Sequence, residues 1–265
     1  MTLDAVFDGW NWEDPEVLSG KLADFRETFS RCDALERIAD KIPRTRVDLI
    51  HAGITGIEFA SRRTKHPTGL GSDLVGPHMA DTRMADSGTE PGYLYLVDGQ
   101  SRFAELDISE PLPFDAESLD WVYAEHLIGM VSVPIAISWL TEVRRVLAPG
   151  GLLRLTTPDL RKYAEGYVND EGFLAKHQQR LKKMRVGPAM PERRAFMFNQ
   201  IFFLFEHRWM YDLDELRYVL SEAGFDPAAM VECSYREGSR DDVANLDTIL
   251  RTDETLYIET RKAAP

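Results

Sequence analysis

The sequence predicts an α/β protein built on a mostly parallel sheet, and three observations carry that prediction. Short apolar runs of the kind a buried sheet uses, "YLYLVD" (Tyr93–Asp98), "FAELD" (Phe103–Asp107) and "LDWVYAE" (Leu119–Glu125), succeed one another in mid-chain. An amphipathic pattern from Pro134 to Leu147 then leads through the turn "APGG" into a further run, "LLRLTTP" (Leu152–Pro158). Strands that alternate with helices at this spacing make parallel sheets. The third observation is composition: 265 residues, 44% hydrophobic and 28% charged, suffice for one large domain with a full core.

In chain order, Trp10 and Trp12 open a segment that either folds over a ligand or staples the first helix. From Pro15 to Ile42 the apolar residues Val17, Leu18, Leu22, Phe25, Phe29, Leu35 and Ile38 recur every three to four positions, which predicts one or two helices ended by Pro43. "RVDLIHA" (Arg46–Ala52) reads as a strand before the glycine turn "AGITG". Gly, Pro, Ser, Thr and Asp dominate Ser61 to Gly92 and predict no regular element there. After the central block, Asp159 to Phe205 carries two or three aromatic-rich helical patterns, Tyr211 to Phe225 reads as a helix ended at Gly224, and "AMVECSY" and "TLYIETR" are final strands. This order divides the chain into an N-terminal helical cap over residues 1–45 and a domain over 46–265, with a helical insertion at about 160–210.

Charge excludes one class of partner. A formal net charge of -13 gives no basic surface for phosphate neutralisation, so no nucleic-acid partner is expected. Two cysteines, Cys32 and Cys233, are too few for a disulfide framework and suit a reducing compartment. No apolar run reaches membrane-spanning length and the acidic start is unlike a signal peptide, so a cytoplasmic protein with no membrane partner is expected.

The block "LDISEPLPFDAESLDWVYAEHLI", a helix, and "EVRRVLAPGGLLRLTTPDL" resembles the central half of the class I S-adenosylmethionine-dependent methyltransferases of the methyltransferase-11 type. Asp107, Leu112-Pro113-Phe114, Asp120 and Arg145 to Gly151 fill that family's strand-end acid, LPF turn, strand-opening Asp and helix-ending "RVLKPGG", with Ala148 where Lys is frequent. The resemblance runs from about Arg46 to Lys262 and is strongest from Leu106 to Leu160. It implies a Rossmann-like, mostly parallel seven-stranded sheet with helices on both faces and a helical lid. It also implies S-adenosylmethionine as cofactor.

The resemblance assigns cofactor-binding roles to Ala52, Gly53 and Gly56 in a degenerate glycine loop whose middle position is Ile54. Ile50 or His51 stands where the family's first strand ends in an acid. Asp107 is implied to accept from the adenine amino group beside the Ile108 backbone, or else caps the turn into Ser109. Ligands of open parallel sheets sit beyond the carboxyl ends of the strands, where Glu125 and His126 also fall. Asp98, with Asp73 as the poorer candidate, is implied to meet the ribose, or Asp98-Gly99 is a hairpin turn.

Methyl transfer needs positioning above all, and an acceptor proton needs a base, for which histidine is best poised near neutral pH. His207 and His126 are the catalytic candidates; each is equally a hydrogen-bonded structural residue. Tyr163, Tyr167, Trp209 and Tyr211 are candidate substrate contacts within an aromatic lid, or part of the lid's own core. His66, His78 and His177 sit in loop or polar contexts and lack metal-ligand spacing, so no metal is expected. The expected activity is methyl transfer to O or N of a small organic molecule, in a protein that allows a homodimer. The competing reading is a non-methylating protein of the same fold, a cofactor-assisted cyclase or isomerase or a degenerate subunit, and a nicotinamide oxidoreductase fails for want of a GxGxxG.

Overall fold

Five parallel strands form the centre of the structure, a computed structural model that describes residues 31–79, 88–169, 172–183, 193–203 and 205–264. They are β3 (Gly56–Phe59), β4 (Gly69–Asp73), β7 (Ser101–Glu105), β8 (Leu119–Glu125) and β9 (Leu147–Pro158). β3 pairs with β4 and β8, β4 with β7, and β8 with β9. Antiparallel strands flank them: β11 (Thr255–Arg261) and β10 (Val231–Cys233) beyond β9, β6 (Leu94–Val97) and β2 (Leu35–Ala39) beyond β7. The sheet order is β10-β11-β9-β8-β3-β4-β7-β6-β2, nine strands where seven were expected. A two-stranded ladder joins β1 (Arg31–Cys32) to β5 (His78–Met79).

One face of this sheet is apolar. Ile57, Phe59, Val122, Ala124, Leu153, Leu155 and Ile258 pack in one cluster with Trp139, Leu140 and Val143 and with Leu216, Val219 and Leu220. The latter two sets belong to α2 (Val133–Val146) and α6 (Leu213–Glu222), and Leu49 of α1 (Arg46–His51) joins them. Between β9 and α6 the chain forms α3 (Leu160–Asn169), α4 (Phe173–Lys183) and α5 (Arg194–Phe203), with a cluster of their own around Tyr163, Met197 and Ile201. Among the described residues the opposite face is covered by the loop between β3 and β4 and by the segment containing α7 (Asp241–Ala244), without a long helix.

Two local expectations are corrected. "RVDLIH" is the helix α1, not a strand: Thr45 caps it by accepting from the Asp48 backbone N–H, and Gly53, at φ +72°, ends it with its own N–H bonded to Ile50 O. Leu35–Ala39, read as the end of a helical stretch, is the edge strand β2, because its backbone pairs with β6 and three of its five residues are exposed. Trp10, Trp12 and the pattern from Pro15 to Phe29 lie outside the described residues.

Candidate functional site

The carboxyl ends of the five parallel strands stand in the order β9, β8, β3, β4, β7, and each presents polar groups. Asp159 follows β9, Glu125 and His126 close β8, Ala60 follows β3, Asp73 closes β4, and Asp107 stands two residues beyond β7. Asp107 Oδ1 accepts from the Ser109 N–H at 2.8 Å and its hydroxyl at 2.7 Å, while the residue remains exposed. Arg62 reaches Asp73 at 3.3 Å. Glu58, on β3, turns to the polar face; its Oε2 is buried without a hydrogen-bond partner, and burial pushes its carboxyl up to about 7 despite the nearby Thr64 and Ser61 hydroxyls.

A second group of side chains lies where the β8 and β9 ends meet the three-helix insertion. His126 adopts φ +54°, a left-handed conformation that costs a non-glycine residue energy, and its side chain is 6% exposed. Its Nε2 is 2.8 Å from Thr255 Oγ1. That hydroxyl gives its single proton to Arg251 O, so Nε2 carries the imidazole proton and Nδ1 a lone pair. His207 Nδ1 is 2.5 Å from Ile201 O, an acceptor only, so Nδ1 is the donor and Nε2 the lone pair. Burial drives both imidazoles below the usual histidine range, His126 far below, with Arg251 adding in the same direction at each. Both are therefore neutral at pH 7.

Tyr163 and His177 complete this group. The Tyr163 hydroxyl donates to Glu254 Oε2 at 2.5 Å and lies 2.9 Å from His177 Nε2, while His177 Nδ1 is 3.0 Å from Asp253 Oδ2. Gln200, 3% exposed, stands beside the Tyr163 hydroxyl, with neither amide atom in a well-formed hydrogen bond.

Several expected site residues are placed elsewhere. Ala52 and Gly53 precede β3 and Gly56 is its first residue, so all three lie at the amino end of the sheet, away from the strand ends where a cofactor loop would stand. Gly53 terminates α1; Gly56 is glycine because a Cβ there would come within 2.2 Å of the Trp121 ring. The turn that does follow β3 begins at Ala60, at φ +56°. Asp98 sits in the β6–β7 hairpin turn at φ +52°, accepting from the Asp33 and Ala34 N–H groups, again at the amino end; Asp73 holds the strand-end position. Glu125 is at its expected strand end but gives both oxygens to Thr248. Tyr211 is wholly enclosed in the apolar core and out of a substrate's reach. Tyr167 and Trp209 are partly exposed, the latter bonded to Glu215, whereas Tyr163 and His126 both face Glu254, at 2.5 and 4.0 Å. Glu58, Gln200, His177 and Glu254 were missed, since nothing local in their sequence marks them.

Residues 71–155 match the family described as methyltransferase domain. The match runs from β4 into β9, the centre of the sheet, and marks that part of the chain as similar to a methyltransferase domain. No curated protein matches the chain. Among solved structures it is similar to the CurJ carbon methyltransferase, at 15% identity over 84% of this chain and TM-score 0.42, and spans only 50% of that chain. It is also similar to methyltransferases from Thermotoga maritima (15% identity, 82% of this chain and 87% of that one, TM-score 0.43) and Mesorhizobium loti (14%, 81% and 96%, 0.42). Likenesses this distant carry no assignment.

The strand-end groups fit S-adenosylmethionine in kind. Its adenine amino group, ribose hydroxyls and ammonium are all donors, and the row offers carboxylates: exposed Asp107, Asp73, and Glu58 with an unpartnered buried oxygen. Asp107, the Ile108 backbone and Asp73 would hold the nucleoside, and Ala60 would give the close turn.

Proposed function

We propose that this protein transfers the methyl group of S-adenosylmethionine to an oxygen or nitrogen of a small organic molecule, in a cytoplasmic biosynthetic reaction. When bound, the cofactor supplies an electrophilic methyl on a sulfonium. Asp107, Ile108 and Asp73 orient it; His207 and His126 take the acceptor's proton; the insertion helices, with Tyr163, Tyr167 and Trp209, exclude water as a lid over the domain of residues 46–265. The observation that carries the reading is the pair of neutral histidines, each with a fixed tautomer and a free lone pair, beside the strand ends. The absence of a metal, a nucleic-acid partner or a membrane partner remains part of the reading, and a homodimer is compatible with it.

A second reading, a non-methylating protein of the same fold, is favoured by one feature: Ala60 to Thr68 contains no glycine, and Arg62 already pairs with Asp73. Calorimetric titration with S-adenosylmethionine and its demethylated product separates the two. Micromolar binding of both is expected, and Asp107→Ala should weaken it by about 1 to 3 kcal/mol by removing the charged acceptor proposed for the adenine amino group. No binding at millimolar ligand would overturn methyl transfer; unchanged affinity in the variant would displace the adenine site from β7.

A further inference from the structure

The groups left uncommitted around His126 are almost all acceptors. Its Nδ1 lone pair lies 4.0 Å from Glu254 Oε1, too far for a direct hydrogen bond and near enough for both to grip one small group. Glu254 Oε2 is occupied by Tyr163, whereas Oε1 has no hydrogen-bond partner among the described residues. His207 stands close by: a Cβ on Gly129, three residues past His126, would come within 3.2 Å of the His207 ring. Gln200 adds a buried amide with neither atom in a well-formed hydrogen bond. His177, the third imidazole here, has both nitrogens engaged, by Asp253 and Tyr163, and Arg251 is a cation whose charge reaches both free imidazoles.

We propose that the methyl acceptor is an amine, that it arrives as its ammonium ion, and that Glu254 Oε1, His126 Nδ1 and His207 Nε2 together bind it. This deepens the methyl-transfer reading above and rests on it. An ammonium has three N–H donors for three lone pairs and a positive charge for the Glu254 carboxylate. An alcohol has one donor and leaves two acceptors unmet; a carboxylate or phosphate has none and meets like charge. One ammonium proton passes to His207 Nε2, making an imidazolium. The freed pair at first faces His207, so the amine turns about its carbon–nitrogen bond to aim that pair at the methyl group; the new N–CH3 bond would then form as the S–CH3 bond breaks, with that bond's electrons left on sulfur. The proton transfer is uphill in the ground state for an alkyl ammonium, and the new bond draws it forward by restoring a cationic nitrogen beside Glu254.

The test uses the full chain and three probes of one skeleton, benzylamine, benzyl alcohol and benzoate, titrated by ligand-observed NMR at pH 7.5 with and without the demethylated cofactor product. Benzylamine should bind at least tenfold more tightly than benzyl alcohol, with benzoate weakest. Glu254→Gln, which keeps a carbonyl for Tyr163, should abolish that preference and leave affinity for the cofactor product unchanged. Should that variant melt early, His207→Gln should lower benzylamine affinity severalfold and leave benzyl alcohol unchanged. An equal or tighter alcohol or benzoate, no binding by any probe, or a preference that survives Glu254→Gln would overturn the proposal. Failure of the cofactor product alone to bind would instead overturn methyl transfer, with the amine preference still measured in its absence.

Discussion

The two faces of the central sheet are held by different physics, and two consecutive residues show it. Leu153 points into the apolar face, where branched side chains of four strands pack on α2 and α6. Arg154 points the other way and is 0% exposed. Register aligns it with Tyr123 on one side and Glu259 on the other, and Tyr123 with Glu58, so a polar row crosses four strands beneath the cover. Arg154 is satisfied throughout: Nε and Nη2 donate to Asp247 at 2.9 and 2.6 Å, Nη1 to Glu259 at 2.8 Å, and the carbonyls of Ser234 and Glu237 take the rest. The apolar face needs long helices because area and shape stabilise it. The polar face can be roofed by an irregular segment, because pairing fixes where that segment sits.

The largest effect should come from breaking that pairing. Arg154→Ala leaves Asp247 and Glu259 buried without their cation, a loss of about 4 kcal/mol in urea unfolding. Adding Asp247→Asn and Glu259→Gln in the same background should restore part of it, since no uncompensated charge is then buried. A loss of under about 1 kcal/mol would mean that water reaches the cluster.

Leu153→Ala is the matching change on the other face. It removes buried methyl groups and leaves a cavity, and should cost about 3 kcal/mol by the same measurement. No second substitution elsewhere in the core short of refilling the cavity should recover it. If Leu153→Ala proves costlier than Arg154→Ala, the ranking of the two faces is reversed.

The same contrast explains what could be read in the sequence. β8, α2, β9, α6 and β11 were legible because the apolar face imposes a period on them, and the Leu106 to Leu160 block marks their order. α1 was misread, although Thr45-x-x-Asp48 at its start and Gly53 after it are helix start and stop signals; the apolar spelling of "VDLI" outweighed them. That error moved the glycine loop to the wrong end of the sheet. β4, "GLGSD", was invisible because two of its five residues are glycine, and Asp73 was undervalued with it. At the site, His126, His207 and Tyr163 were reachable from the sequence by residue type and place. Glu254, Gln200 and His177 come together only because the insertion folds back on the start of β11, a contact between residues up to 91 positions apart that no local pattern encodes.

The smallest of these stability effects probes the polar row at its other end and carries a sign. Burial raises the Glu58 carboxyl from 4.5 to about 7, so the folded state holds a proton that the unfolded chain releases between those values. A raised folded value means that the associated stability is fully present below pH 4.5 and lost as pH climbs through about 7. At 1.36 kcal/mol per unit, the loss between pH 5.5 and 8 is about 2 kcal/mol. Glu58→Gln has no proton to release, so its stability relative to the parent should rise by about that amount over the same interval, read from urea midpoints at the two pH values. A difference that stays flat would show Glu58 to be ionised and solvated in the fold, and the polar row would then begin at Tyr123 rather than at β3.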